Sequence, residues 1–380
     1  EVTSWETGYG DMGMSLDLES VRALPWHEKT AFVTADLVDH HHHDISVSPR
    51  AILKKQLARL ENAGMVALCG TELEFIVFND SYEEAWDKNY NNLIPANQYN
   101  VDYSLIGTSR VEQLLRAIRL GMHGANLIVE SAKGECNYGQ HEIAFRYEDA
   151  LRTCDNHSVY KMGAKEIASQ MGQSLTFMAK FNEREGNSCH IHLSFRDKKG
   201  NPILAGEAGD GLSKAGRAYI AGIQKHMREL TLLFAPNINS YKRYQAGTFA
   251  PTAIKWGRDN RTCALRLVGQ GQSLRVENRV PGGDVNPYLA VAGMVAAGLS
   301  GIEENAELEP IFQGNAYALE TDRVPTSLKE ARDLWANSSW VRDTFGEDVQ
   351  KHYTHMADTE LDAFGRAVTD WERFRSFERM

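Results

Sequence analysis

The sequence predicts an α+β domain built around a curved sheet with one charged face. Three observations lead there. Acidic, imidazole and guanidinium side chains stand two residues apart in short apolar runs, apolar stripes at helical spacing separate those runs, and a Gly269-Gln270-Gly271 turn joins two of them. In a strand, residues two apart share a face, so each run carries one functional side and one core side.

Residues 1–47 read as loop and short strands, with one strand at 31–33 and a histidine tract at 40–43 between Asp39 and Asp44. The tract reads as a solvated turn rather than a metal site. Ser48 and Pro49 open a helix with Ile52, Leu53, Leu57 and Leu60 on one face, and Gly64 stops it. A strand over 65–78 follows, in which Glu72 and Glu74 point one way and Leu73 and Phe75 the other. Helices are predicted over 110–121, 155–171 and 214–234, with strands at 142–146 and 190–194 between them. Residues 263–268 and 274–280 have the period of an antiparallel hairpin. Asn286-Pro287 opens an apolar helix that runs to Gly301, and amphipathic helices fill 327–380. No internal repeat or disordered linker interrupts this body.

The chain of 380 residues carries 41 basic and 51 acidic side chains, a net charge of −10. It lacks the basic footprint of a nucleic-acid or anionic-membrane binder. The longest apolar stretch, 288–299, is too short for a bilayer. Five scattered cysteines without a Cys-x-x-Cys pair indicate neither a disulfide framework nor a thiolate zinc site and fit a reducing, cytoplasmic setting. A strand already under way at residue 31, in a chain that opens on Glu1, suggests that an N-terminal piece precedes it.

Five carboxylates (Glu72, Glu74, Glu135, Glu142, Glu277) and the imidazole of His190 form a hard, oxygen-rich ligand set suited to Mg²⁺ or Mn²⁺. So many glutamates on one face repel, and two divalent cations would relieve them. Arg243, Arg261, Arg266, Arg275 and Arg279 share the stretch that holds Glu277, and guanidinium forks suit phosphate and carboxylate. Metals with arginines around a cleft describe phosphoryl transfer. A P-loop and a Gly-x-Ser-x-Gly elbow are both missing, so a nucleotide would be held differently and no serine nucleophile is indicated. Cys189 adjoins His190, faces the opposite side of its strand and reads as core.

Six ordered motifs, TELEF, GECNYGQHE, EGNSCHIHLS, NSYKR, NRTCALR and RVENRVPGGDVNPYLA, resemble those of the glutamine synthetase superfamily of type I over about residues 48–304. The resemblance implies its catalytic fold, a curved antiparallel sheet flanked by helices, over 48–380, with 1–47 as the remnant of a small N-terminal β-grasp-like domain. It implies one metal on Glu74, Glu135 and Glu142 and another on Glu72, His190 and Glu277. His192, Ser194, Arg266 and Arg275 fall where the family contacts ATP, with Tyr147 and Glu130 near the nucleoside. Gly186, Arg243, Arg261 and Arg279 fall where it holds glutamate or the transferred phosphate. Arg243, Arg261, Arg266 and Glu277 would therefore act in catalysis. The family also implies a large homo-oligomer of stacked rings, twelve subunits, with active sites between neighbours.

Two positions depart from the family. Its flap places a glutamate before Ala-Pro to bind and deprotonate ammonium, and Phe249 stands there, before Ala250-Pro251. A phenyl ring takes no proton but packs against an alkyl chain or faces a cation. The usual Asn-Gly before the histidine strand is Glu185-Gly186, which adds a carboxylate. The expected activity is thus an ATP-dependent ligase joining the glutamate γ-carboxylate to an organic amine of the polyamine or ethanolamine class, with Phe249 and Glu185 at the acceptor. The alternatives are an ordinary glutamine synthetase using ammonia, and a non-catalytic relative, against which the six intact ligand positions speak.

Overall fold

The computed structural model describes residues 3–207 and 209–379. Strands β1 (Gly13–Ala23) and β2 (Ala31–Val38) pair antiparallel as a two-stranded sheet of their own. The 40–43 tract is an exposed turn just after β2, as a solvated turn should be.

The larger sheet contains β3 (Met65–Phe78), β4 (Val129–Gly134), β5 (Gln140–Phe145), β6 (Glu148–Asp149), β7 (Ser174–Thr176), β8 (Cys189–Asp197), β9 (Trp256–Arg258), β10 (Leu265–Val268) and β11 (Arg275–Asn278). Its order is β4-β5-β3-β8-β11-β10-β9, and β6 and β7 also pair with β3. The expectation of an antiparallel sheet holds except at one edge, where β9 runs parallel to β10. Alternation works as predicted: Leu73, Phe75, Ile143, Cys189, Ile191 and Leu193 all lie in the main core, while Glu72, Glu74, Glu142, His190 and His192 line the cleft.

Helices α1 (Pro49–Asn62), α2 (Tyr82–Asp87), α3 (Leu105–Ser109), α4 (Glu112–Gly124), α5 (Ala150–Gln170), α6 (Lys214–Phe234) and α7 (Pro287–Glu304) are interleaved with the strands. The predicted 155–171 helix begins earlier because the Asp149 side chain accepts from Arg152 N and caps it. On α7 the Asn286 side chain accepts from Tyr288 N and Leu289 N, Pro287 takes the first turn, and residues on every side of the helix are buried. It crosses α6 at glycines: a Cβ on Gly222 would stand 2.2 Å from the Ala297 carbonyl oxygen, and one on Gly301 2.1 Å from that of Ala218. Larger side chains there would force the central helices apart.

Helices α8 (Leu328–Asn337), α9 (Ser339–Phe345), α10 (Glu347–Arg366) and α11 (Asp370–Ser376) complete the chain. Trp371 and Phe374 on α11 are exposed, as are Met14, Leu16 and Leu18 on one face of β1. No helix among the described residues is long and apolar enough to cross a membrane. The small sheet is tied to the body by Arg50 of α1, whose guanidinium donates to Asp17 (2.5 Å), Asp36 (2.8 Å) and Asp155 (3.0 Å).

Candidate active site

Strand register assembles the site. Glu74 lies opposite Glu142, Glu72 opposite His190, Glu277 opposite His192 and Arg266 opposite Glu277. Two triads result, Glu74 with Glu135 and Glu142, and Glu72 with His190 and Glu277, each with ligand atoms within 4.8 Å of one another. These are the two groupings that the resemblance implied.

The first triad is under electrostatic strain. Glu74 accepts from Ser188 N (2.7 Å) and Gln140 Nε2 (3.1 Å), yet burial and the Glu135 charge push its carboxyl up to about 7. Burial, with the Glu72 charge, drives Glu142 well above the usual carboxylate range. Glu135 is raised chiefly by burial, against the pull of Lys133. Lys133 pairs with Glu135 and lies 3.4 Å from Glu142.

The second triad is better balanced. Burial opposes ionisation of Glu277, but His190, protonated at so low a pH, and Arg279 lead the charges that hold it at about 2, with Arg266 2.8 Å away. Burial lowers His190 to about 4, so the imidazole is neutral, the form that ligates a metal. Its Nε2 is buried without a hydrogen-bond partner, and its Nδ1 is 3.6 Å from both Glu72 and Glu277. Repelling carboxylates with an orphaned neutral imidazole fit a pair of hard divalent cations.

Two adjoining cavities share Glu72, His192 and Arg275. The first, of about 400 Å³, is lined by Glu130, Tyr147, His192, Ser194 and Arg275, all expected beside a nucleotide. Arg275 Nε donates to His192 Nδ1 at 3.2 Å, and His192 Nε2 lies 3.1 Å from Glu72. The second, of about 330 Å³, holds both triads with Glu185, Gly186, Phe249, Arg261 and Arg279. Arg279 Nε is buried and unpartnered, a free donor beside the cavity.

Two arginines differ from expectation. Arg266 lines the second cavity rather than the nucleotide side, bound to Glu277 and Asp259. Arg243 lines neither cavity: it is buried behind the wall, donating to Val280 O (2.8 Å), Ser188 Oγ (3.0 Å) and Arg279 O (3.1 Å). Its methylenes underlie Gly186, where a Cβ would stand 3.0 Å from Arg243 Cγ and 2.2 Å from the Ala179 carbonyl oxygen.

Phe249 lies in the cavity wall, half-exposed, with a left-handed backbone (φ +57°). Outside the triads, the carboxylates lining this cavity are Asp102 and Glu185. Asp102, Tyr103, Lys133, Gln140 and Ser188 were not singled out in the sequence. Lys133 and Gln140 share the alternation with Glu135 and Glu142 and could have been found by it. Asp102 and Tyr103 arrive on a loop that shows no period.

Comparison with known proteins follows the same lines. The family description "Glutamine synthetase, catalytic domain" matches residues 46–376. A gamma-glutamylethanolamide synthetase of Streptomyces coelicolor is 61% identical over 379 residues, covering 100% of this chain and 82% of its own. A glutamate–isopropylamine ligase of a Pseudomonas species is 34% identical over 381 residues, covering 99% and 83%. Among solved structures, the ADP complex of GmaS superposes with a TM-score of 0.89 at 28% identity, over 97% of this chain and 86% of that one.

Proposed function

The chain belongs to the glutamine synthetase family, and from that premise we propose that it is an ATP-dependent ligase joining the γ-carboxylate of glutamate to a short organic amine, ethanolamine first among them. Phe249 carries the choice of an amine over ammonia: a ring lines the cavity where an ammonia-using relative needs a carboxylate. The 61% identical relative, named for γ-glutamylethanolamide, supports the same choice. Glutamate, the transferred phosphoryl and the acceptor share about 330 Å³, which favours a short amine over a long polyamine.

In this reading the γ-carboxylate of glutamate attacks the γ-phosphoryl of ATP, giving γ-glutamyl phosphate and ADP. The amine nitrogen then bonds to the carbonyl carbon of the γ-carboxyl group as that carbon's bond to the phosphate oxygen breaks. Two divalent cations, Mg²⁺ or Mn²⁺, seated on the triads would neutralise the phosphoryl oxygens. His192, Ser194 and Arg275 are placed to hold ATP phosphates, with Tyr147 and Glu130 toward the nucleoside. Arg261 and the free Nε of Arg279 face the anionic glutamate and the transferred group. Arg266 neutralises Glu277 and orients it. Arg243 acts through Ser188 and the Arg279 backbone, as a positioning residue. Glu185 and Asp102 are left to pair with the acceptor's ammonium and take its proton.

We place the enzyme in the cytoplasm, in keeping with five free cysteines, four of them buried. We read 1–47 as a small N-terminal unit and 48–380 as the catalytic domain, a division that the separate β1–β2 sheet supports. We also read it as a homo-oligomer of stacked rings, a dodecamer. The exposed apolar face of β1 and the aromatics of α11 are suited to subunit contacts.

The test supplies glutamate, ATP and Mg²⁺ with ammonia, methylamine, ethanolamine, putrescine or spermine, and reads phosphate release and product mass. A γ-glutamylethanolamide product with little glutamine is the expected result. Efficient glutamine formation from ammonia would overturn the amine reading.

A further inference from the structure

The two triads balance their charge by different means. Glu277 has stiff partners, Arg266 on the facing strand and Arg279 two residues along its own chain. Glu135 and Glu142 share Lys133, whose ammonium rides on a flexible four-carbon stem. Its place is set by the sheet: Lys133 lies opposite Glu142 in the β4–β5 register, and Glu142 lies opposite Glu74 in the β5–β3 register. Tyr103 closes the other side, with its ring centroid 5.2 Å from Lys133 Nζ. An ammonium is therefore already caged between two prospective ligand carboxylates and an aromatic face.

A divalent cation on Glu74, Glu135 and Glu142 would need the same carboxylate oxygens. Either the ammonium withdraws, giving up its ion pairs, or it stays and repels the arriving ion. Both routes lower the affinity for the ion. We infer that Lys133 is a tethered competitor for the cation of this triad: it bridges Glu135 and Glu142 and weakens the binding of the metal that replaces it. Tyr103 is its backstop. The inference rests on reading the triads as cation seats, and it does not depend on which amine is the acceptor.

The test titrates Mn²⁺ into the full chain without nucleotide, glutamate or amine, following the free-ion resonance signal. Wild type is compared with Lys133→Met, Lys133→Arg and Tyr103→Leu. Lys133→Met should tighten one equivalent of Mn²⁺ per chain by about ten-fold or more, about 1.4 kcal/mol, and leave the other unchanged. Its melting temperature without cations should fall below wild type and recover at saturating Mn²⁺. Tyr103→Leu should shift the same equivalent in the same direction by less. Lys133→Arg keeps the charge and should bind as wild type does. Unchanged or weaker binding in Lys133→Met would overturn the inference, and so would equal tightening in Lys133→Arg, which would assign the effect to packing. If Lys133→Met does not fold, Tyr103→Leu decides by the same measurement, and unchanged binding there counts against the inference. No Mn²⁺ binding in any variant would remove the cation-seat reading itself, while the amine-product assay would still report on the reaction.

Discussion

Phe249→Glu restores a carboxylate to the flap, and the structure sets the scale of its effect. The ring is half-exposed, so replacing it gives up about half of a buried phenyl, about 1 kcal/mol, and the protein should still fold. The left-handed backbone at φ +57° strains glutamate no more than phenylalanine, since neither is glycine. What changes is charge. A unit pair 4 Å apart is worth about 1 kcal/mol in water and about 4 kcal/mol at an effective dielectric of about 20. A half-exposed flap lies between these, at about 2 kcal/mol, about thirty-fold for any cationic acceptor. Ethanolammonium gains that counter-ion as ammonium does, so the kcat/KM ratio of ammonia to ethanolamine should rise only by what the alkyl chain loses with the ring, about 1 kcal/mol or about five-fold. The assay follows phosphate release for each acceptor and weighs the products. An unchanged ratio in a variant that melts normally would refute the assignment of acceptor choice to Phe249.

Arg50→Met should destabilise the protein by about 3–5 kcal/mol in urea unfolding, because it leaves Asp155 and Asp36 buried without their shared cation. Burial opposes ionisation of Asp36, but hydrogen bonds from Lys54 and Arg50 hold it below the ordinary value of 3.8. Its contribution in wild type is therefore complete above that value and lost as pH falls through the lower folded one, so wild type and variant should converge in strong acid. Glu277→Gln leaves Arg266 and Arg279 facing a neutral amide at a site with 0% exposure. One equivalent of Mn²⁺ should be lost and activity should fall by more than about the hundred-fold that losing a mere outer partner of a ligand costs. Gly186→Ala would press a methyl onto the Ala179 carbonyl oxygen at 2.2 Å. The KM for glutamate should rise several-fold while ATP binding, measured by titration, stays near wild type.

The part of the site that is legible in the sequence lies on strands. Glu72, Glu74, Glu142, His190 and Glu277 obey a period of two, and that period alone assigns each of them to the polar face of its strand. Arg243 shows the limit of the rule. It ends a turn of 3₁₀-helix, Ile238–Arg243, where alternation says nothing of direction; its place in the arginine-bearing stretch and its family position pointed to the substrate. Arg266 lies in the cavity of the triads for a reason that local alternation does not carry. A period of two marks both strands of the hairpin but not their cross-strand register, and that register sets Arg266 against Glu277. The parallel β9–β10 edge joins residues whose pairing depends on the intervening turn, and no local pattern announces it.

Acceptor choice must reside outside the parts that were easiest to read. In the proposed reaction the triads and Arg279 would serve the first half, the making of an acyl phosphate, which is the same whichever nucleophile follows. Selection can enter only through groups that surround the γ-carboxyl carbon when the amine arrives. In this cavity those are Phe249 from the flap, Glu185 from the loop before β8, and Asp102 with Tyr103 from the loop before α3. All four are on connecting segments, which can vary without disturbing the sheet that carries the two triads. The scaffold thus fixes how glutamate is activated, and three loops decide what takes it.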